Sequence, residues 1–322
     1  MDFFKGNNFE FDDLHIVQST HTRVQSRRSV VTNTKFGFPA LIPASMSYLD
    51  DYGRNTFCNE VAYYGAICLP SREPNRESPV FFKHSLGMTI SYEELKTYPF
   101  DFSNLDLHLM YPFISVDIAN GALVEEKYIV KFLEKNPCTR LIIGNFGNPH
   151  APKKFTKDTQ DKVSFKVGIG SGRECSTKLT AGVSYPQAAL VHDTRNENPD
   201  ITIISDGGIR KPADYVKAIA LGADFVMAGN IFSRCIEANS FVYDESRQKH
   251  VVRTRGMASA TEKGDDSYVE GLEHVEEVET LTKVSEVYRK YDEGLRSAMS
   301  YADAVNLTEF RQNVQMLNLK SQ

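Results

Sequence analysis

Eight short apolar runs punctuate this sequence. Each is followed by a polar or glycine-bearing turn and then, in several cases, by a segment of helical period. The runs are Ala40–Ala44, Tyr64–Cys68, Leu86–Ile90, Phe113–Val116, Arg140–Ile143, Phe165–Val167, Ile201–Ile204 and Phe225–Met227. Runs of three to five residues rich in Val, Ile and Phe suit strands buried on both faces, as in a parallel sheet. Between them, Glu125–Lys135 carries Tyr128, Ile129, Phe132 and Leu133 on one stripe, and Pro212–Leu221 opens with proline and stops before Gly222. No repeat or Pro/Gly-rich linker divides the chain. The pattern predicts a single (β/α)8 TIM barrel over residues 1–322. A doubly wound open sheet reads similarly.

Charge and apolar patterning narrow the function. The 322 residues carry a formal net charge of −5, which argues against a partner held by nucleic-acid phosphates. No apolar run approaches the roughly 20 residues that span a bilayer, so no membrane partner is expected. The start MDFFKGNNFEFDD lacks the basic and apolar regions of a secretory signal, which predicts a cytoplasmic protein. The five cysteines (Cys58, Cys68, Cys138, Cys175 and Cys235) are odd in number and scattered, which speaks against a disulfide framework and against zinc.

In such a barrel, chemistry belongs to the loops after the strands. Asp117–Gly121 follows the fourth run, Gly144–Asn148 the fifth, Gly168–Gly172 the sixth, Ser205–Gly208 the seventh and Ala228–Asn230 the eighth. The sharpest segment is Val167–Gln187, VGIGSGRECSTKLTAGVSYPQ. Its alternating glycines 168, 170 and 172 let the backbone approach a ligand or ion. Cys175 follows in a polar loop beside Arg173 and Lys178, cations that favour the nucleophilic thiolate. The same residues also read as a glycine-rich connector carrying an inert thiol.

This segment resembles the catalytic loop of the IMP dehydrogenase/GMP reductase family, Gly-Ile-Gly-x-Gly-x-x-Cys-x-Thr, met here by Gly168, Ile169, Gly170, Gly172, Cys175 and Thr177. The resemblance extends from Ser26-Arg27 and Met46 through Ser205–Gly208, Ala223–Gly229 and Arg255-Gly256-Met257 to Glu293–Tyr301. Three features resemble the reductase branch: Asp117-Ile118-Ala119-Asn120-Gly121, Gly182-Val183-Ser184-Tyr185-Pro186-Gln187, and the lack of any Arg-Tyr dipeptide, the water-activating pair of the dehydrogenase. The length agrees, since the resemblance then implies no regulatory insert of the kind common in the dehydrogenase.

The resemblance implies NADPH-dependent reduction of GMP to IMP and ammonia through a thioimidate on Cys175. Alternatives are NAD-dependent oxidation of IMP to XMP, or a purine-nucleotide-binding homologue with altered catalysis. It assigns Thr177 and Glu270 to protonation of the leaving amine. Residue types alone also allow Thr177 as a helix cap and Glu270 as part of a solvated acidic face. It places Met46, Arg173, Asp206, Gly207, Gly208, Gly229, Asn230, Arg255, Gly256 and Met257 around the nucleotide, and Asp117, Ala119, Asn120 and Gly121 on the cofactor side. It further implies a potassium ion on carbonyls of Gly170, Gly172 and Cys175, and a homotetramer. Arg173, Asn230, Thr254 and Ser47 depart from the family pattern, in which serine, Ser or Gly, tyrosine and aspartate stand respectively. Arg173 either pairs with the phosphate or fills its space. Arg253–Glu279, containing the polar stretch ATEKGDDS, reads as a mobile flap that excludes water, or as an ordinary surface loop.

Overall fold

The computed structural model describes residues 6–50, 56–72, 86–97, 112–264 and 266–321. Of the flap stretch, Asp265 lies outside the described residues. Chain order gives β1 (Leu14–Val17), β2 (Leu41–Pro43), α1 (Phe57–Tyr63), β3 (Gly87–Ser91), α2 (Tyr92–Thr97), β4 (Phe113–Asp117), α3 (Glu126–Lys135), β5 (Arg140–Phe146), α4 (Lys157–Lys162) and β6 (Val163–Val167). There follow α5 (Thr177–Thr180), α6 (Gln187–Glu197), β7 (Thr202–Asp206), α7 (Pro212–Ala220), β8 (Phe225–Ala228), β9 (Phe241–Asp244) and β10 (Lys249–Arg255). The chain closes with α8 (Ala260–Lys263), β11 (Glu273–Glu277), α9 (Val284–Tyr301), α10 (Leu307–Asn313) and β12 (Gln315–Asn318).

Seven strands form one parallel sheet in the order β2-β8-β7-β6-β5-β4-β3, curled as in a TIM-like barrel. Strand burial follows the apolar runs, because helices cover one face and the barrel interior fills the other. The interior cluster is Ile42, Ile67, Leu69, Phe113, Ile142, Ile204, Phe225 and Met227. Phe113 and Phe225 begin their strands, and Phe36 and Phe38 pack on them with ring centroids 5.6 Å (Phe36–Phe225) and 5.5 Å (Phe38–Phe113) apart. This aromatic plug closes the end opposite the strand-to-helix loops, so the concave end is the one that bears the loop motifs.

Tyr64–Cys68 is not a strand. Tyr64 instead caps α1, and Gly65 turns the chain with φ +77°. Residues 66–69 then run buried along the gap between β2 and β3. A Cβ on Gly87 of β3 would meet Leu69 Cδ2 at 2.6 Å, while Ser45, just after β2, donates to the Pro70 carbonyl at 2.9 Å. The segment fills the second barrel position through its side chains, without a regular ladder.

A second expectation fails here as well. Cys58 and Cys68 form a disulfide, with Cα atoms 5.5 Å apart. The turn of α1 folds the chain back so that residues ten apart meet, and a scattered cysteine count carries no trace of that geometry.

Outside the barrel, β1 and β12 pair antiparallel, and Lys217 of α7 donates to the Phe11 carbonyl at 2.7 Å, fastening the N-terminal segment. Tyr291 of α9 packs edge-on against Tyr215 of α7. A three-stranded antiparallel sheet, β11-β10-β9, rises beside the loop end of the barrel. It gives the flap an ordered base, with Arg255 opposite Glu273 and Val251 opposite Glu277, and α8 at its crest.

Candidate active site

Cys175, Thr177 and Glu270 come together. The Cys175 thiol donates to Thr177 Oγ1 at 3.3 Å, and the Thr177 hydroxyl donates to Glu270 Oε2 at 2.6 Å. Thr177 is the first residue of α5, and Ser176 is the capping position, so the Thr177 hydroxyl faces Cys175 and Glu270 and does not cap the helix. Glu270 likewise leaves the acidic run that follows it and turns inward.

Backbone contacts hold this arrangement. Ser176 N–H donates to the Glu270 carbonyl at 2.8 Å and Leu272 N–H to the Glu174 carbonyl at 2.8 Å, making an isolated antiparallel bridge between Cys175 and Gly271. The approach is close enough to demand glycine. A Cβ on Gly271 would lie 2.3 Å from Ser259 N, and one on Gly256 would lie 2.6 Å from the Glu174 carbonyl oxygen. The Cys175 loop and the flap segment are therefore one structure at their contact.

A buried charge network lies behind the loop. Lys166 Nζ donates to Asp117 Oδ1 at 3.1 Å, and Asn145 Nδ2 donates to Asp206 Oδ2 at 2.8 Å and to the Gly168 carbonyl at 2.8 Å. Burial raises the Asp206 carboxyl above its ordinary value, opposed by the Lys166 charge and the Asn145 hydrogen bond. Burial also pulls Lys166 down, but Asp117 and Asp206 outweigh it and the ammonium is held. Sequence reasoning missed Lys166 and gave Asn145 no role. The available signal was a lysine set between Phe165 and Val167 in a buried run, immediately before the glycine loop.

Among the residues expected around a nucleotide, Gly207 and Gly208 turn sharply after β7, with φ +89° and +77°. Gly229 and Asn230 follow β8 at the start of a short 3-10 turn. Met46 lies after β2, half-buried against the main core. Arg255 pairs with Glu262 of the crest helix, which also accepts from Ser47 at 2.6 Å; the half-buried Met257 lies between Arg255 and that helix in the chain. Arg173 does not turn toward Cys175. Its guanidinium is engaged by Glu276 of β11, whose other oxygen takes Arg234 at 3.2 Å. The Arg173 hydrogen bond holds the Glu276 carboxyl below its ordinary value.

Buried polar atoms in this region without a partner among the described residues include Tyr48 Oη, Glu174 Oε1, Thr254 Oγ1 and Glu262 Oε2.

On the other side, Asp117 ends β4. Ala119 and Asn120 follow, and the Asn120 side chain, not that of Asp117, caps the 3-10 turn Gly121–Leu123. Asp117 Oδ2 makes no hydrogen bond among the described residues, which suits it to accept from a sugar hydroxyl. In the nucleophile loop, Gly172 O accepts from Cys175 N–H at 3.2 Å, and the Gly170 and Cys175 carbonyls accept nothing described. Neutral oxygens of this kind fit a hard monovalent cation.

The sequence pattern of the IMP dehydrogenase / GMP reductase domain matches residues 108–322. The chain is similar to the GMP reductase of Lactobacillus gasseri, 29% identical over 325 residues, covering 96% of this chain and 94% of the relative. It is also similar to the GMP reductase of Streptococcus pyogenes, 29% identical over 314 residues and covering 94% and 93%. The inosine-5'-monophosphate dehydrogenase of Chlorobaculum tepidum is 32% identical over 227 residues, covering 65% of this chain and 45% of the relative. Matched over two thirds of its length, and carrying the family loop on a TIM-like barrel, this chain belongs to the IMP dehydrogenase/GMP reductase family.

Proposed function

We propose that the protein is a GMP reductase, converting GMP to IMP and ammonium with consumption of NADPH. The observation that carries this reading is the chain of hydrogen bonds from Cys175 Sγ through Thr177 Oγ1 to Glu270 Oε2. The Cys175 sulfur bonds to C2 of the guanine ring, the C2–amine bond breaks, and the thiol proton passes to Thr177 and Glu270. These two protonate the departing amine, a role that asks for a hydroxyl and a carboxyl beside the nucleophile. NADPH, when bound, supplies the hydride that displaces sulfur from C2. The whole reaction takes up two protons as GMP and NADPH become IMP, NADP+ and ammonium.

The remaining residues bind and orient. Asp206 holds ribose hydroxyls of the nucleotide, Asp117 with Asn120 faces the cofactor sugar, and Lys166 keeps both carboxylates in place. Met46 and Met257 flank the base, and Gly208 and Gly229 meet the phosphate. The carbonyls of Gly170, Gly172 and Cys175 would hold a potassium ion that braces the nucleophile loop. Closure of the flap at Gly256–Gly271 excludes water, which competes with hydride for C2. We place the enzyme in the cytoplasm as a homotetramer. Among the described residues, no helix is long and apolar enough to cross a membrane.

Following NADPH absorbance with GMP and potassium, beside a parallel assay with IMP and NAD+, tests the reading. Turnover of GMP supports the reductase. Turnover of IMP alone would establish the dehydrogenase, whose water-activating Arg-Tyr dipeptide this chain lacks. Binding of GMP without turnover would establish a homologue with altered catalysis.

A further inference from the structure

The crest helix α8 belongs to the flap, yet one of its side chains reaches the barrel. Glu262 Oε1 accepts from Ser47 Oγ at 2.6 Å and from Arg255 Nε. The Glu262 side chain is 2% exposed and Ser47 is 1% exposed, so the junction is shut off from solvent. Ser47 is a fixed point. It follows Met46 in the loop after β2, and its carbonyl accepts from Asn239 Nδ2 at 3.2 Å. The Leu49 and Asp50 N–H groups both donate to the Met46 carbonyl, at 2.9 and 3.3 Å, which tightens the same loop. Lys263, the neighbour of Glu262, turns back instead onto the flap, to the Ser267 and Tyr268 carbonyls.

Stability alone is a poor reason for this carboxylate. Both donors go to one oxygen, and Glu262 Oε2 is buried with no partner among the described residues. A buried ion pair satisfied on one side only contributes little net stability compared with an apolar side chain of similar size. What it supplies is direction, because hydrogen bonds to a charged acceptor are strong and hold their geometry. The position it fixes is that of Glu270. Ser259 caps α8 by accepting from the Glu262 N–H at 3.4 Å, and its own N–H donates to the Gly256 carbonyl at 2.9 Å. Next to it, the Ala258 carbonyl accepts from both the Glu270 and the Gly271 N–H groups, each at 3.1 Å. Glu262 thus lies a single helical turn beyond the carbonyl that seats the Glu270 backbone. The Glu270 side chain in turn takes the Thr177 hydroxyl.

We propose that Glu262 is a positioning residue for the reaction. Anchored on Ser47 and Arg255, it sets α8 against the loop after β2 and, through the Ala258 carbonyl, sets Glu270 against Thr177 and Cys175. The proton source is thereby registered to the loop that carries Met46. The role of Glu270 itself rests on the reductase reading, so the experiment includes a measurement that needs no turnover.

The full-length protein is compared as wild type, Glu262→Gln, Glu270→Gln and the double variant. The quantities read are kcat with GMP and NADPH, the calorimetric affinity for GMP, and the rate at which iodoacetamide alkylates Cys175 at one fixed pH. Peptide mass spectrometry separates Cys175 from the other free cysteines, Cys138 and Cys235. Glutamine keeps an acceptor for Ser47 and removes the charge that holds Arg255. Glu262→Gln should lower kcat about tenfold, as a small misplacement of a catalytic group does, with GMP affinity within about threefold of wild type. Alkylation of Cys175 should change in the same direction as in Glu270→Gln. The double variant should match Glu270→Gln alone, because both act through one group. Cys175 alkylation unchanged by Glu262→Gln, or changes that add in the double variant, would overturn the proposal. Equal losses in kcat and GMP affinity would mark general loosening and overturn it too. Where Glu262→Gln does not fold, Ser47→Ala removes one hydrogen bond, leaves the ion pair, and carries the same comparison with Glu270→Gln. A wild type that does not turn over GMP would sink the reductase reading, and the alkylation rates would then decide on Glu262 by themselves.

Discussion

Glu270 accepts the Thr177 hydroxyl at 2.6 Å although 93 residues separate them in sequence. The contact exists because the far arm of the flap returns as an antiparallel partner of the nucleophile loop. If the two act as one proton relay, Thr177→Val and Glu270→Gln should each lower kcat about 10²–10³-fold with little change in the KM for GMP. The double variant should fall scarcely further, since residues acting as a unit are non-additive. Steady-state NADPH oxidation measures this, and additive losses would contradict the relay.

Gly271→Ala probes the same contact through the backbone. The added Cβ would meet Ser259 N at 2.3 Å and Ala258 C at 2.7 Å, both backbone atoms that cannot swing aside. The bridge to Cys175 should open and carry Glu270 away from Thr177. We expect kcat to drop by at least about tenfold, since small misplacements of catalytic groups have effects of that order or larger. The clash should also lower stability by about 1–3 kcal/mol, read from the urea midpoint. A fully active variant would show that the bridge does not position Glu270.

Lys166→Met should be among the most destabilising changes. It leaves Asp117 and Asp206 without their shared cation in a buried setting, at a cost of about 3–5 kcal/mol by urea denaturation. Adding Asp206→Asn should restore part of that loss while abolishing nucleotide binding. Two independent, additive losses would argue against the network.

Acid should loosen the base of the flap. The Arg173 hydrogen bond depresses the Glu276 carboxyl below its ordinary 4.5, with Arg234 assisting. A depressed carboxylate contributes stability that is present above pH 4.5 and lost as pH falls through the native value. Glu276→Gln should therefore be less stable than wild type at pH 7 by less than about 1 kcal/mol, because both partners are about a third exposed. The difference should shrink as pH is lowered below 4.5. A difference independent of pH would rule out the ion pair as its source.

The strands and the glycine loop leading into Cys175 were legible because their signals are local. Apolar runs such as Phe225–Met227 and the glycine spacing before Cys175 reflect constraints that a few adjacent residues satisfy by themselves. Glu270 was found through its resemblance to a known loop, since nothing in an acidic run marks the one carboxylate that turns inward. Lys166 escaped because a buried cation is defined by partners on β4 and β7, far away in sequence. The Cys58–Cys68 disulfide escaped for a similar reason, its geometry being set by α1 and the turn at Gly65. Tyr64–Cys68 had strand composition, but its second half fills the barrel by side-chain packing without a ladder. Arg173 was read as facing the thiol or a phosphate, and its partner, Glu276, lay on a strand that sequence had assigned to a loop.

The covalent role proposed for Cys175 is best examined by counting ammonium released and NADPH oxidised with GMP as substrate, in wild type and in Cys175→Ala. Wild type should release one ammonium per NADPH oxidised, and the variant should form neither product while still binding GMP. Continued formation of both by Cys175→Ala would show that the sulfur does not carry the reaction.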